Sequence, residues 1–133
     1  MIDLDHFSEV NRKFGHAGGD RALTAFAASA RQALQTTDLI ARYGGEEFCE
    51  VLPDADEAEG MRIAERLRTD VAATFIDLDG RPRQITASIG LATLGRDLRG
   101  AMRSADVALY RAKVLGRNRV CRASDEASDA AAS

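Results

Sequence analysis

The chain has 133 residues and a formal net charge of −3, with 45% hydrophobic but only 5% aromatic residues, no tryptophan and two cysteines. That length suits one domain with its own core. The acidic balance excludes a broad nucleic-acid-binding face while leaving room for a small basic pocket that takes one nucleotide, and the scarcity of aromatics excludes a stacking platform for single strands.

Residues 1–4 read as a strand end, and Asp5 as the N-cap of a helix over 6–14 that Gly15 stops. A loop over 15–19 follows, and Asp20 opens a long helix whose Leu23, Phe26, Ala27, Ala30 and Leu34 keep helical spacing. Thr36, Thr37 and Asp38 break it. Two strand-like runs, 38–43 and 49–53, then meet at Gly44-Gly45, a dipeptide that tolerates the positive backbone angles of a tight hairpin. Residues 54–74 are helical, with acids crowding the first turn where the helix dipole favours them. Residues 75–78 and 84–92 read as strands around an Asp79-Gly80 turn, with Pro82 tolerable only near an edge. A last helix over 98–115 stops at Gly116 before a short strand at 119–121. The Ala, Ser and acid of 123–133 read as a disordered tail.

The order of elements predicts one α/β sandwich over residues 1–122, a mixed, mainly antiparallel sheet flanked by helices. No apolar run approaches the roughly 20 residues of a membrane span, and no signal-peptide pattern is present. Cys49 and Cys121 form no CxxC pair and lie in apolar runs, which suits buried reduced thiols. Because Met1 enters a strand at once, the chain reads as a piece of a longer protein.

Asp3 and Asp5 at a strand end, with Glu46 and Glu47 past a hairpin, are acidic pairs that neighbouring strands can bring together. Such carboxylates repel one another, and a hard divalent cation, Mg2+ or Mn2+, reverses that. The blander alternatives are a cap for Asp5 and solvated surface for the rest. Successive strand side chains face opposite ways, so Glu46 and Glu47 are not equal ligands, and Glu46 is the stronger candidate.

The string Ile2-Asp3-Leu4-Asp5-His6-Phe7, then Asn11, Phe14-Gly15-His16 with Gly19-Asp20, and Arg42-Tyr43-Gly44-Gly45-Glu46-Glu47-Phe48 closely resembles the GGDEF-domain family of diguanylate cyclases, here in a GGEEF form. Thr86-Ala87-Ser88-Ile89-Gly90 and the stretch from Ala105 to Lys113 with Gly116-Arg117-Asn118 extend the resemblance over most of residues 1–120. It implies a palm-type fold like that of nucleotidyl cyclases, which joins two GTP molecules into cyclic di-GMP and releases pyrophosphate between two facing domains, a transient homodimer. By the resemblance, two metal ions per site are held by Asp3, the Leu4 carbonyl and Glu46. Asn11 and Asp20 read the guanine, and Phe7, Gly44, Gly45, Lys113 and Arg117 hold phosphate. Glu46 or Glu47 accepts the proton of the attacking hydroxyl. Lys113 and Arg117, four apart, share one face if the helix persists that far. The resemblance also implies a cytoplasmic domain, possible as the cytoplasmic part of a membrane-anchored protein, with a sensory or regulatory domain ahead of it.

Three departures stand out. Ser8 and Arg12 replace the family's usual lysine and aspartate, removing one expected phosphate contact. The family's inhibitory Arg-x-x-Asp site for cyclic di-GMP reads Gln35-Thr36-Thr37-Asp38, and glutamine lacks the charged guanidinium fork. The family's leading helix and its Asn-Arg turn do not precede the first strand. These departures keep a second reading in play, a cyclase-like domain that binds GTP or cyclic di-GMP as a signalling module without turnover.

Overall fold

Alternating apolar residues in the short runs and 3.6-residue spacing in the long ones give the following elements in the computed structural model, which describes residues 1–132. They are β1 (Ile2–Leu4), α1 (Phe7–Ala33), β2 (Leu39–Arg42), β3 (Glu47–Val51), α2 (Glu57–Ala73), β4 (Phe75–Leu78), β5 (Arg81–Gln84), β6 (Ala87–Leu91), α3 (Leu98–Val114), β7 (Val120–Arg122) and α4 (Ala123–Ala132). The central sheet runs β2-β3-β1-β6-β7. Its pairs are antiparallel apart from the parallel β6 and β7. The mixed, mainly antiparallel sheet expected from the sequence is therefore present.

The two-residue period of the strands splits the core into two layers. Ile2, Leu4, Phe48, Ala87 and Ile89 face Ala22, Phe26 and Ala30 of α1 and Ala64, Leu67 and Val71 of α2. The Phe26 and Phe48 rings meet at 4.4 Å between centroids, tilted by 43°. On the other face, Met1 and Cys49 pack with Met102, Ala105 and Leu109 of α3, and Cys121 packs with Ala108 and Ala112. Both cysteines are free thiols, Cys121 buried and Cys49 only partly so. Gly90 of β6 sits where α3 crosses the sheet, so close that a Cβ there would fall 2.0 Å from the Ala105 carbonyl oxygen.

Several local expectations need correction. The loop over 15–19 is a single-residue kink: Gly15 adopts φ 66°, ψ −177°, and helix resumes on both sides of it within α1. Gly18 and Gly19 are helical and buried, because close packing across the kink outweighs their poor helix propensity. The run over 84–92 is not one strand. The Asp79-Gly80 turn, with both residues at positive φ, folds β5 onto β4 as a separate two-stranded ribbon, and the chain re-enters the central sheet only at Ala87. The helix expected over 54–74 starts only at Glu57, after Asp56 caps it by accepting a hydrogen bond from Glu59 N at 2.8 Å. Residues 123–132, where composition suggested disorder, form α4. Asp125 Oδ2 accepts from Arg122 N at 3.0 Å and Ser124 Oγ donates to Glu57 Oε1 at 2.9 Å, which anchors the start of this alanine-rich helix. Ser133 lies outside the described residues.

Among the described residues no helix is long and apolar enough to cross a membrane. A mainly apolar cavity of about 210 Å³ lies between the ends of β3 and β6, with Glu50, Leu52, Leu91 and Met102 in its wall. Burial pushes the Glu50 carboxyl from 4.5 up to about 7, assisted by the charge of Asp38. Its Oε1 is buried without a hydrogen-bond partner. Since the folded state binds the proton more tightly than the unfolded chain, this residue's contribution is full below pH 4.5 and is lost as pH rises through about 7. Glu50→Gln is therefore expected to raise stability at pH 8 by on the order of 3 kcal/mol and to change little at pH 4.5. Urea midpoints at the two pH values check this, and equal shifts at both would contradict it.

Candidate active site

The β1 to β3 register sets Asp3 opposite Glu47 and Ile2 opposite Phe48, and Leu4 N donates to the Glu46 carbonyl at 3.2 Å. One end of the sheet thus gathers the acids of both motifs. From the α3 side, Lys113 Nζ donates to Asp3 Oδ2 at 2.7 Å. Asp3 is only 6% exposed, and a buried carboxylate needs such a partner. Here lies a cleft of about 310 Å³ walled by Asp3, Leu4, Asp5, the segment from His6 to Glu9, Glu46, Lys113 and Arg117.

Of the residues singled out in the sequence, Asp3, Leu4, Phe7, Glu46, Lys113 and Arg117 line this one cleft, whereas Asn11, Asp20, Gly44, Gly45 and Glu47 do not. Lys113 and Arg117 reach it by different routes. α3 ends at Val114, and Arg117 sits in the following turn at φ 63°, so the shared helical face expected for the pair is replaced by a left-handed turn. Asp5 caps nothing: the residue before α1 is His6, in a left-handed conformation with no side-chain cap. Its carboxylate instead accepts from Thr86 Oγ1, Ser88 Oγ and Asn118 N.

The connection from β2 to β3, residues 43–46, closes with Tyr43 N and Gly44 N both donating to the Glu47 carbonyl, at 2.8 and 3.1 Å. Neither Gly44 nor Gly45 has the positive φ expected of them. A Cβ on Gly44 would fall 3.0 Å from Glu47 Oε2, the free end of a flexible side chain, while a Cβ on Gly45 meets nothing within 4 Å. The Glu47 carboxylate therefore lies over Gly44. Arg42 ties the turn down, its Nε donating to the Gly44 and Gly45 carbonyls at 3.1 Å each and its Nη2 to Gly45 at 2.6 Å.

Beyond the cleft, Asn11 Oδ1 is buried without a hydrogen-bond partner, and a Cβ on Gly19 would stand 2.0 Å from it. The kink at Gly15 thus folds the backbone beside Asp20 against Asn11. A buried amide oxygen left unpaired costs about 1–3 kcal/mol. Asp38 Oδ2 accepts from Gln35 N at 2.8 Å, so the retained aspartate of the degenerate inhibitory motif closes its own turn.

The donor set fits a hard divalent cation. It offers the Asp3 carboxylate, the Leu4 main chain and Glu46 beside two cationic side chains. Among the described residues no three His, Cys, Asp or Glu side chains converge as a ready-made cage. A site of one or two carboxylates completed by water and substrate phosphate is the arrangement magnesium prefers.

Sequence reasoning missed Arg42 as the clamp on the glycine turn, Gly19 as the space for Asn11, and the partnership of Asp5 with Thr86, Ser88 and Asn118. The signal for the last was an acid two residues from another in a strand, with hydroxyl residues alternating in a second strand. No pairing of the two strands was visible to connect them.

The sheet end of this α/β domain thus carries clustered acids, a glycine turn and two cationic side chains, Lys113 and Arg117, on one cleft. The profile described as "Diguanylate cyclase, GGDEF domain" matches residues 1–119, and the chain belongs to that family. It is 41% identical over 122 residues to the diguanylate cyclase DgcP of Pseudomonas aeruginosa, covering 90% of this chain and 18% of that protein. It is likewise 41% identical over 123 residues to diguanylate cyclase A of Treponema denticola, covering 90% of this chain and 33% of that one. The chain therefore spans a third or less of the length of these two relatives. Among solved structures, the GGDEF domain of DgcB from Caulobacter crescentus in complex with c-di-GMP superposes with a TM-score of 0.86 at 32% identity, covering 92% of this chain and 75% of that one. The active GGEEF domain of a diguanylate cyclase from Vibrio cholerae gives 0.84 at 32% identity, covering 91% and 78%.

Proposed function

We propose that this domain is a diguanylate cyclase that condenses two GTP molecules into cyclic di-GMP with release of pyrophosphate. The observation that carries the reading is the convergence of Asp3, Glu46, Lys113 and Arg117 on one cleft, in a chain of this family. Asp3, the Leu4 carbonyl and Glu46 would hold Mg2+ or Mn2+, two ions per site, which supply charge neutralisation at the phosphates and a lowered pKa for the attacking hydroxyl. Lys113 and Arg117 offset the triphosphate charge, with Phe7, Gly44 and Gly45 completing the phosphate side. Asn11 and Asp20 read the guanine edge, for which an amide offers both a donor and an acceptor and a carboxylate accepts two N–H groups.

In each half-reaction the 3′-oxygen of one nucleotide bonds to the α-phosphorus of the other. The bond to pyrophosphate breaks, and Glu46 or Glu47 accepts the hydroxyl proton. A single cleft holds one GTP, so two copies face each other transiently. The domain works in the cytoplasm, where GTP is supplied, under a sensory or regulatory domain of the full-length protein.

The unpaired Asn11 Oδ1 supports the guanine assignment, because a ligand donor there would remove the cost of leaving it bare. Gly19→Ala pushes a methyl group into that oxygen. We expect GTP affinity to fall about tenfold or more, roughly 1.4 kcal/mol, with a smaller effect on inorganic triphosphate, and calorimetric titration of both ligands checks it. Equal losses for the two ligands would contradict the guanine role.

Ser8 stands in the cleft wall where the family usually has lysine. This favours the alternative of a domain that binds GTP or cyclic di-GMP without turnover, and product formation from GTP separates the two. With Gln35 in place of arginine and Asp38 engaged by Gln35 N, product inhibition at that surface is expected to be weak or absent. Titrating cyclic di-GMP would overturn this if a tight complex were lost in Asp38→Ala.

A further inference from the structure

Asp5 is an acid the reaction does not consume, yet it is only 5% exposed and among the most fully satisfied polar groups near the cleft. Its Oδ2 accepts from Thr86 Oγ1 at 2.6 Å and from Asn118 N at 3.0 Å, and its Oδ1 accepts from Ser88 Oγ at 2.7 Å. Thr86 and Ser88 belong to the strand entry and strand of β6, while Asn118 belongs to the turn after α3. One carboxylate therefore joins β1, β6 and that turn.

The turn it holds is strained. Gly116, Arg117 and Asn118 all have positive φ, at 118°, 63° and 45°. For Arg117 the left-handed region is unfavourable, more so than for Asn118, and such conformations persist only when the surroundings over-determine them. Asn118 is pinned from the other side too, its Oδ1 accepting from Arg68 Nη1 at 2.9 Å. Arg68 is itself held by Glu65 Oε2 at 2.7 Å. Arg117, between the pinned Asn118 and the end of α3, lines the same cleft as Asp3.

We propose that Asp5 is a positioning residue for Arg117: its charged hydrogen bond to Asn118 N locks the left-handed turn and thereby aims the guanidinium at the phosphates of the bound nucleotide. This rests on the cyclase reading for the ligand, although the lock itself does not. Hydrogen bonds to a charged acceptor are roughly twice as strong as neutral ones, which suits a carboxylate to holding strained backbone.

The test compares Asp5→Ala, Asp5→Asn and Arg117→Ala with the parent chain. In Asp5→Ala, hydrogen exchange at the Asn118 amide should accelerate at least about tenfold relative to core strand amides, since local opening is no longer opposed. GTP affinity should fall about fivefold to tenfold. In the Arg117→Ala background the same substitution should cost almost nothing further in affinity, the non-additivity expected of coupled residues. Asp5→Asn should restore only part of both, because its amide oxygen can still accept from Asn118 N, now as a weaker neutral bond, while its NH2 donates to Ser88 Oγ. If Asp5→Ala does not fold, Thr86→Val removes the hydroxyl that fixes Oδ2 and should move both readouts in the same direction by less. Unchanged Asn118 exchange, or an affinity loss undiminished in the Arg117→Ala background, would overturn the proposal. A parent chain that binds no GTP would count against the cyclase reading instead, and the exchange measurement would then decide the lock on its own.

Discussion

Gly90→Ala is expected to unfold most of the protein or to lower its stability by at least about 3 kcal/mol, the upper range for overpacking a rigid site. Against a typical total of 5–15 kcal/mol, that is a large share. The reason is geometric. A Cβ on Gly90 would stand 2.0 Å from Ala105 O, 2.3 Å from Leu109 N and 2.9 Å from Leu109 Cα. These are backbone atoms of α3, which have no rotamer to change, so the helix itself must lift from the sheet. Lifting it would also withdraw Lys113 from Asp3, since both contacts lie on the same helix. Gly45→Ala is the control: a Cβ there meets nothing within 4 Å, and its cost should stay within about 0.5 kcal/mol. Urea unfolding curves measure both, and a Gly90→Ala midpoint close to that of the control would contradict the close contact.

Asp3→Asn carries the second large effect, this time on turnover rather than folding. The amide keeps the shape of the carboxylate but not its charge, so it is a poor ligand for a hard cation. It also leaves the Lys113 ammonium, 2.7 Å from Asp3 Oδ2, without its anionic partner. We expect cyclic di-GMP formation to fall by about 10²- to 10³-fold or more, the scale on which single preorganised electrostatic groups contribute to catalysis. The urea midpoint should move far less than in Gly90→Ala. Turnover within tenfold of the parent would remove Asp3 from the proposed machinery. A lost fold would show instead that its pairing with Lys113 is chiefly structural.

The layers and the sheet were legible because they depend on patterns the sequence displays openly. Leu23, Phe26 and Ala30 mark a helix face, the Asp79-Gly80 pair marks a hairpin, and the acids at 57 and 59 mark a helix start. The acidic pairs at Asp3 and Glu46 were legible as chemistry for the same reason, since like charges in a strand end ask for a counter-charge. What failed were features set by contacts between distant elements. The glycines at 18 and 19 looked like a loop because helix propensity is local, whereas their use is the close approach to Phe14 and Asn11. Gly44 and Gly45 suggested a backbone requirement, yet neither has the positive φ that would impose one, and a Cβ on Gly44 would crowd only the flexible Glu47 carboxylate. Asp5 looked like a cap because of its place in the chain, and only its long-range partners, more than 80 residues away, show that it ties the sheet to a turn. The tail misled in the opposite sense. Its composition carries little hydrophobic drive, but alanine propensity and the Asp125 hydrogen bond to Arg122 N suffice for one short helix.

The central claim is that the cleft between β1, β3 and α3 turns over GTP, and incubating the protein with GTP and Mg2+ or Mn2+ tests it most directly, with Glu46→Ala alongside. The account predicts cyclic di-GMP and pyrophosphate, two pyrophosphates per cyclic product, with a rate per protein that rises steeply with protein concentration because two clefts must meet, and with both products lost in Glu46→Ala. Tight GTP binding without product would favour the non-catalytic signalling module. Product formation that survives Glu46→Ala would contradict the site itself.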